Sequence, residues 1–122
     1  MCAWFVEHLG RDVPLHFSAF HPDWKMRDVP ATPLATLRRA RQIALRHGVR
    51  YVYTGNVRDP EGASTWCHAC GAPLIRRDGY AIGQWSLSPE GRCRECGTTC
   101  AGVFAAKPGD WEPHCAPVRL SA

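Results

Sequence analysis

The sequence has no run of about 18 apolar residues, so no membrane-spanning helix is expected. Its opening stretch, Met1-Cys2-Ala3-Trp4-Phe5-Val6-Glu7-His8, lacks a basic leader, and Glu7 and His8 interrupt the apolar residues early. A secretory signal is therefore not expected. Charge of neither sign dominates: 15 Lys and Arg stand against 11 Asp and Glu, a formal net charge of +4. That balance is only a weak pull toward an anionic partner. No internal repeat or low-complexity segment is present, and no Ser/His/Asp arrangement, phosphate-binding glycine loop or carboxylate pair stands out. What the 122 residues do contain is punctuation, with ten prolines and eleven glycines, and seven cysteines. Cysteines without a secretory signal point to a reducing cytoplasm and to metal binding.

Two of the cysteine clusters are alike. Cys67-His68-Ala69-Cys70-Gly71 is echoed by Cys93-Arg94-Glu95-Cys96-Gly97. Each places two thiolates on one tight turn, and the following glycine lets the backbone curl so that its amides face the sulfurs. Four thiolates from two such turns satisfy a tetrahedral ion with no further ligand. Between them, Leu74-Ile75-Arg76-Arg77 and Tyr80-Ala81-Ile82 are strand-like, and Asp78-Gly79 is a hairpin-turn dipeptide. The pattern predicts a small β-rich zinc ribbon over 64–104. Zinc is preferred to iron, although a set of four cysteines can hold either. With no open coordination position, the ion is structural. The competing reading is two unrelated pairs of buried or disulfide-bonded cysteines.

Ahead of the ribbon the pattern changes. Cys2 to Leu9 reads as a short helix stopped by Gly10. Leu15 to Ser18 reads as a strand, with Pro14 at its start. Ala19 to Pro30 reads as a loop dense in Phe20, His21, Trp24, Lys25 and Met26, and such loops often carry function. Thr32 as cap and Pro33 as first helical residue open the clearest helix, with Leu34, Leu37, Ala40 and Ala44 on one side and Gly48 as its stop. Arg38, Arg39, Arg41 and Arg46 fall largely elsewhere, as an ordinary solvated face or an anion site. Val49 to Thr54 is the second strand. Strand, helix, strand is a βαβ unit with parallel strands. Such a pair normally needs both faces covered, so 1–57 is expected to present uncovered apolar strand residues to a partner. Val57 to Ala63 reads as a polar linker and 105–122 as a weakly ordered tail.

Other candidates carry less. Cys93-x2-Cys96-x3-Cys100 is not a recognised iron–sulfur spacing, and Cys100 reads as a spare. Cys2 and Cys115 have no partner spacing. His16 lies mid-strand, where a satisfied histidine is the ordinary outcome. His21 follows the strand's carboxyl end, where ligands bind in parallel sheets, and a ligand contact and a plain surface histidine are equally compatible with it. His68 could substitute as a zinc ligand, but four cysteines suffice.

Taken in order, the residues resemble a family. Trp4-Phe5-Val6-Glu7-x-Leu9-Gly10, Asp12-Val13-Pro14-Leu15-His16-Phe17-Ser18, Phe20-His21-Pro22-Asp23, Lys25-Met26, Thr32-Pro33, Arg39-Ala40-Arg41, Tyr51-Val52-Tyr53-Thr54-Gly55-Asn56-Val57 and the ribbon are similar to the last third of the AmmeMemoRadiSam-system radical S-adenosylmethionine (SAM) enzymes. These are relatives of the pyruvate formate-lyase activating enzymes. The resemblance covers roughly residues 4 to 104. It implies an α/β remnant, the βαβ piece of a radical SAM partial barrel, followed by the family's zinc ribbon. It also implies that His21 stands at the edge of a SAM pocket. The departures are as informative. The family's Cys-x3-Cys-x2-Cys, which binds a 4Fe–4S cluster, is missing from this sequence, Trp66 replaces an expected smaller ring, and Cys100-Ala101 stands where the family tends to have Ile-Pro.

The resulting expectation is the C-terminal region of a radical SAM protein, truncated or one half of a split enzyme, unable to perform radical chemistry alone. SAM and the cluster enter only through the resemblance. The expected partners are a cluster-bearing N-terminal half or a second copy, with no membrane and no nucleic acid. The competing class is a stand-alone zinc-ribbon adaptor that binds RNA or protein through Arg76, Arg77, Arg92 and Arg94.

Overall fold

A computed structural model describes residues 1–109. The expected tail, 105–122, lies mostly outside the described residues, as does Cys115; 105–109 contain no helix or strand. Helix α1 (Cys2–Leu9) ends where Gly10, at φ 88, donates its amide to Val6 O. Strand β1 (Leu15–Ser18), helix α2 (Leu34–Arg46) and strand β2 (Val52–Gly55) follow. The two strands pair in parallel, with Leu15 beside Val52 and Ser18 beside Gly55. The short helix α3 (Pro60–Ala63) leads into an antiparallel sheet of β3 (Thr65–Trp66), β4 (Pro73–Asp78) and β5 (Ala81–Trp85), with β4 in the middle.

Each sheet has its own core. Cys2, Ala44, Val49 and Val52 are buried together, with Phe5, Val6, Leu15, Phe17 and Ile43 packed around them. This is alternation at work: Leu15, Phe17 and Val52 share the sheet face that α1 and α2 cover. In the ribbon, Leu74, Ile75 and Leu87 are buried with Cys67, Cys93 and Cys100.

Several local expectations are corrected. Thr32 does not cap α2, whose N-cap position is Pro33 (φ −63, ψ 141) without a side-chain cap. The Thr32 hydroxyl is already engaged, since Phe20 N donates to Oγ1 at 3.0 Å while Thr32 N donates to Phe20 O at 3.0 Å. These two bonds clasp the base of the loop 20–32. The second strand starts at Val52 rather than Val49, because Val49 N bonds Ala44 O and Arg50 N bonds Arg11 O. Those amides are spent on the turn leaving α2.

The polar linker is a structured joint. Asp59, 2% exposed, accepts from Arg38 Nη2 at 2.9 Å and from Thr54 Oγ1 at 3.1 Å. It ties α2, β2 and α3 together. Gly62 is closed in here, since a Cβ on it would run into Thr54 Oγ1 and the Asp59 carboxylate. The arginine face of α2 is consequently not simply solvated: Arg41 donates from Nε to Val52 O at 3.0 Å and lies 3.6 Å from Glu61.

The largest correction concerns the second face of the parallel pair. Uncovered apolar residues were expected there. Instead His16 and Ser18 are exposed, and Tyr53 stands beside His16 with ring centroids 4.9 Å apart. The strands carry apolar side chains on the helix side alone, because Leu15, Phe17 and Val52 alternate with His16, Ser18 and Tyr53.

Candidate metal centre

The two knuckles fold identically at the backbone. In the first, Gly71 N donates to Cys67 O at 2.9 Å, and in the second Gly97 N donates to Cys93 O at 2.8 Å. Both glycines sit at φ 74, a left-handed conformation that a side chain would resist. The strand entering each knuckle is held by a bond across it, Cys67 N to Ala72 O at 2.8 Å and Cys93 N to Thr98 O at 2.9 Å.

The turns face one another. The sulfurs of Cys67, Cys70, Cys93 and Cys96 all lie within 4.8 Å of one another, a group that could hold a metal ion. Cys67 and Cys96 are 3.6 Å apart, and Cys70 and Cys93 are 3.8 Å apart. A tetrahedron with metal–sulfur bonds of about 2.3 Å has edges of about 3.8 Å, and these two cross-knuckle pairs match it. Cys67 and Cys93 are buried, whereas Cys70 and Cys96 are exposed. One wall of the site is therefore core and the other is surface.

The electrostatics favour a cation. Thr98, through its hydroxyl 3.3 Å from the sulfur and through its amide, pulls the Cys96 thiol down to about 6, helped by Cys70. The Ala72 amide favours a thiolate at Cys70, but Cys96, partial desolvation, Cys67 and Cys93 outweigh it and push Cys70 up to about 12. Sulfurs this close compete for charge, so one ionises early and its neighbour keeps its proton. A bound dication removes that conflict and releases the retained protons.

The remaining candidates sort clearly. Cys100 is buried but outside the group of four, its thiol raised by burial and then by the nearby Cys67. Cys2 is buried in the other core. His68 rides on the first knuckle, half-buried and outside the ligand group, with Nδ1 buried and unpartnered among the described residues. His21 is exposed, just beyond the end of β1. There the strand ends are locked together, since Ala19 N donates to Gly55 O at 2.9 Å and Asn56 Nδ2 to Ala19 O at 3.3 Å.

All four ribbon arginines have partners within the chain. Arg76 covers the Trp66 ring at 5.0 Å, and Arg77 Nη1 donates to Thr65 Oγ1 at 3.1 Å. Arg92 donates to Gly97 O at 3.3 Å and Arg94 to Leu87 O at 3.1 Å. Sequence reasoning missed the residues that dock the ribbon. Tyr53 OH lies 3.0 Å from Thr65 Oγ1, Ala101 N donates to Tyr51 OH at 3.0 Å, and the Tyr51 ring meets His68 edge-on at 6.4 Å. The available signal was two phenols at i and i+2, which share one face of a strand.

Among the described residues no helix is long and apolar enough to cross a membrane. No family model matches the chain, and no solved structure matches it. Among curated proteins, it is similar to Uncharacterized protein MJ0808 of Methanocaldococcus jannaschii, with 50% identity over 92 residues. The match takes in 75% of this chain but spans only 28% of that relative's length.

Proposed function

We propose that this chain is the C-terminal region of an AmmeMemoRadiSam-type radical SAM protein, with a structural zinc ribbon, and that it does not perform radical chemistry by itself. The observation that carries the reading is the parallel β1–β2 pair with helices on one face and His16, Ser18 and Tyr53 on the other. A parallel strand–helix–strand unit with its helices on one face is the repeating piece of a (β/α) barrel wall. His21, past the carboxyl end of β1, stands where a parallel sheet meets its ligand, and we assign it to the edge of a SAM pocket. The motif order seen in the sequence supports the same reading.

Zinc is the ion we assign to the four thiolates. The set is closed and all-sulfur, which suits a structural ion and leaves no position for an activated water. Free thiols kept for metal suit a reducing cytoplasm. The adaptor alternative draws less support, because Arg76, Arg77, Arg92 and Arg94 are already engaged within the ribbon.

The test is anaerobic reconstitution with iron, sulfide and a reductant, followed by a SAM cleavage assay. The chain alone should yield no 5′-deoxyadenosine above a protein-free control, because its cysteines lack the cluster spacing. A cluster-bearing barrel half from the same genome should bind it and cleave SAM, with turnover reduced by His21→Ala. Cleavage by the chain alone would refute the proposal, as would failure of every such half to bind it.

A further inference from the structure

A cleft of about 410 Å³ lies between β2 and the start of the ribbon, lined among others by Arg11, Arg41, Arg50, Val52, Trp66 and His68. That volume falls in the range of small-ligand sites. The cleft borders the polar strand face at Tyr53 and the metal centre at Cys67, but it owes nothing to the radical SAM reading.

Its wall is the open edge of β2. Leu15 N donates to Tyr51 O and Ala19 N to Gly55 O, so the odd-numbered positions of β2 pair with β1. In a parallel ladder the backbone groups of Val52 therefore point the other way, toward the cleft. The Val52 carbonyl is taken by Arg41 Nε at 3.0 Å, which leaves the Val52 amide as a donor there.

The charge around this edge is positive. Arg41 lies only 3.6 Å from Glu61, but that carboxylate is 70% exposed. Arg50 donates to Asp12 at 2.9 Å on the outer rim. Arg11 is held beside Gly48, and among the described residues its guanidinium has no hydrogen-bond or ion-pair partner. On the ribbon side His68 lines the cleft, and its Nδ1 is buried with no hydrogen-bond partner among the described residues. A buried polar atom without a partner costs stability unless something completes it. Three guanidiniums, a strand-edge amide and an imidazole nitrogen form a donor set for an oxyanion.

We propose that this cleft binds a phosphate group, free or carried as a monoester, held by Arg11, Arg41, the Val52 amide and the His68 ring. Trp66 and Leu45 would take the body of an ester. The site uses both halves of the chain, so its occupant also fixes the ribbon against β2.

Titration calorimetry on the zinc-loaded full chain tests this, with inorganic phosphate, adenosine 5′-monophosphate as the ester probe and adenosine as the phosphate-free control. One equivalent of a phosphate probe should bind, and the His68 ring nitrogens should shift in NMR spectra on addition. Arg11→Gln removes no side-chain bond among the described residues and should weaken binding about tenfold, the loss of one charged hydrogen bond. Arg41→Gln should weaken it too, and thermal melting of that variant separates loss of binding from loss of fold. Tighter binding of the monophosphate assigns an ester, and equal or tighter binding of inorganic phosphate assigns the free anion. Absence of binding by both probes would overturn the proposal. So would unchanged affinity in Arg11→Gln, or adenosine binding as tightly as its monophosphate.

Discussion

The ribbon and the βαβ unit solve the same problem of a small core by different means. In the ribbon, three of the six clustered buried residues are cysteines, Cys67, Cys93 and Cys100, beside Leu74, Ile75 and Leu87. Two of those cysteines are also members of the metal group. The βαβ unit instead surrounds Cys2, Ala44, Val49 and Val52 with half-buried side chains from α1, β1 and α2 and clamps its end with the Asp59 network. One half gathers four thiolates into a group that could hold a metal ion, and the other is closed by packing and a buried carboxylate. The difference teaches where each should fail: the ribbon on loss of a ligand, the βαβ unit on loss of a joint.

The largest effect should come from Cys93→Ser. It removes a buried ligand, and a ribbon this small has too little apolar area to fold without its ion. Amide exchange should show 64–104 unprotected while α2 and β2 keep their protection. Loss of protection throughout the chain would mean that the two halves fold as one unit, and the comparison would collapse.

Asp59→Asn should act on the other half, lowering stability by about 2 kcal/mol, because a buried acceptor of charged hydrogen bonds is weakened. Its pH signature is distinctive. The Arg38 hydrogen bond, with help from Thr54, holds the Asp59 carboxyl below the usual carboxylate range despite burial. A depressed folded value means that the stabilisation is complete above the unfolded value of about 4 and fades as pH falls through the folded one. Wild-type melting temperatures should therefore drop on acidification in that window more steeply than those of the variant. Parallel curves would show that Asp59 is not the joint.

A smaller effect is expected between the halves. Tyr53→Phe removes the hydroxyl that meets Thr65 Oγ1 and should cost about 1 kcal/mol, without loss of metal. A metal-free Tyr53→Phe protein would show that ribbon docking and ion binding are coupled.

What the sequence revealed follows from which interactions are local. The Cys-x2-Cys-Gly knuckles, the Gly10 stop and the alternation in Leu15–Ser18 are decided by neighbours in the chain, and each was legible. Thr32 was misread because its hydroxyl is claimed by the amide of Phe20, 12 residues away. The β-prone run Val49–Tyr51 was read as strand because nothing local shows that Arg11 O and Ala44 O take its amides. Asp59 looked like linker, since a buried acid is visible only once Arg38 and Thr54 are folded beside it. The polar strand face was readable from His16 and Ser18, yet the expectation of apolar residues followed from what a lone parallel pair usually buries, not from these side chains. Of the centre itself, the four ligands were legible and the influence of Thr98 on Cys96 was not, because that depends on how the second knuckle closes.

The most direct test is zinc-edge X-ray absorption on the purified chain, paired with metal analysis. One zinc per chain with four sulfur neighbours at about 2.3 Å is the expected result. A well-folded ribbon that contains no metal, or an ion with fewer than four sulfurs, would contradict the account.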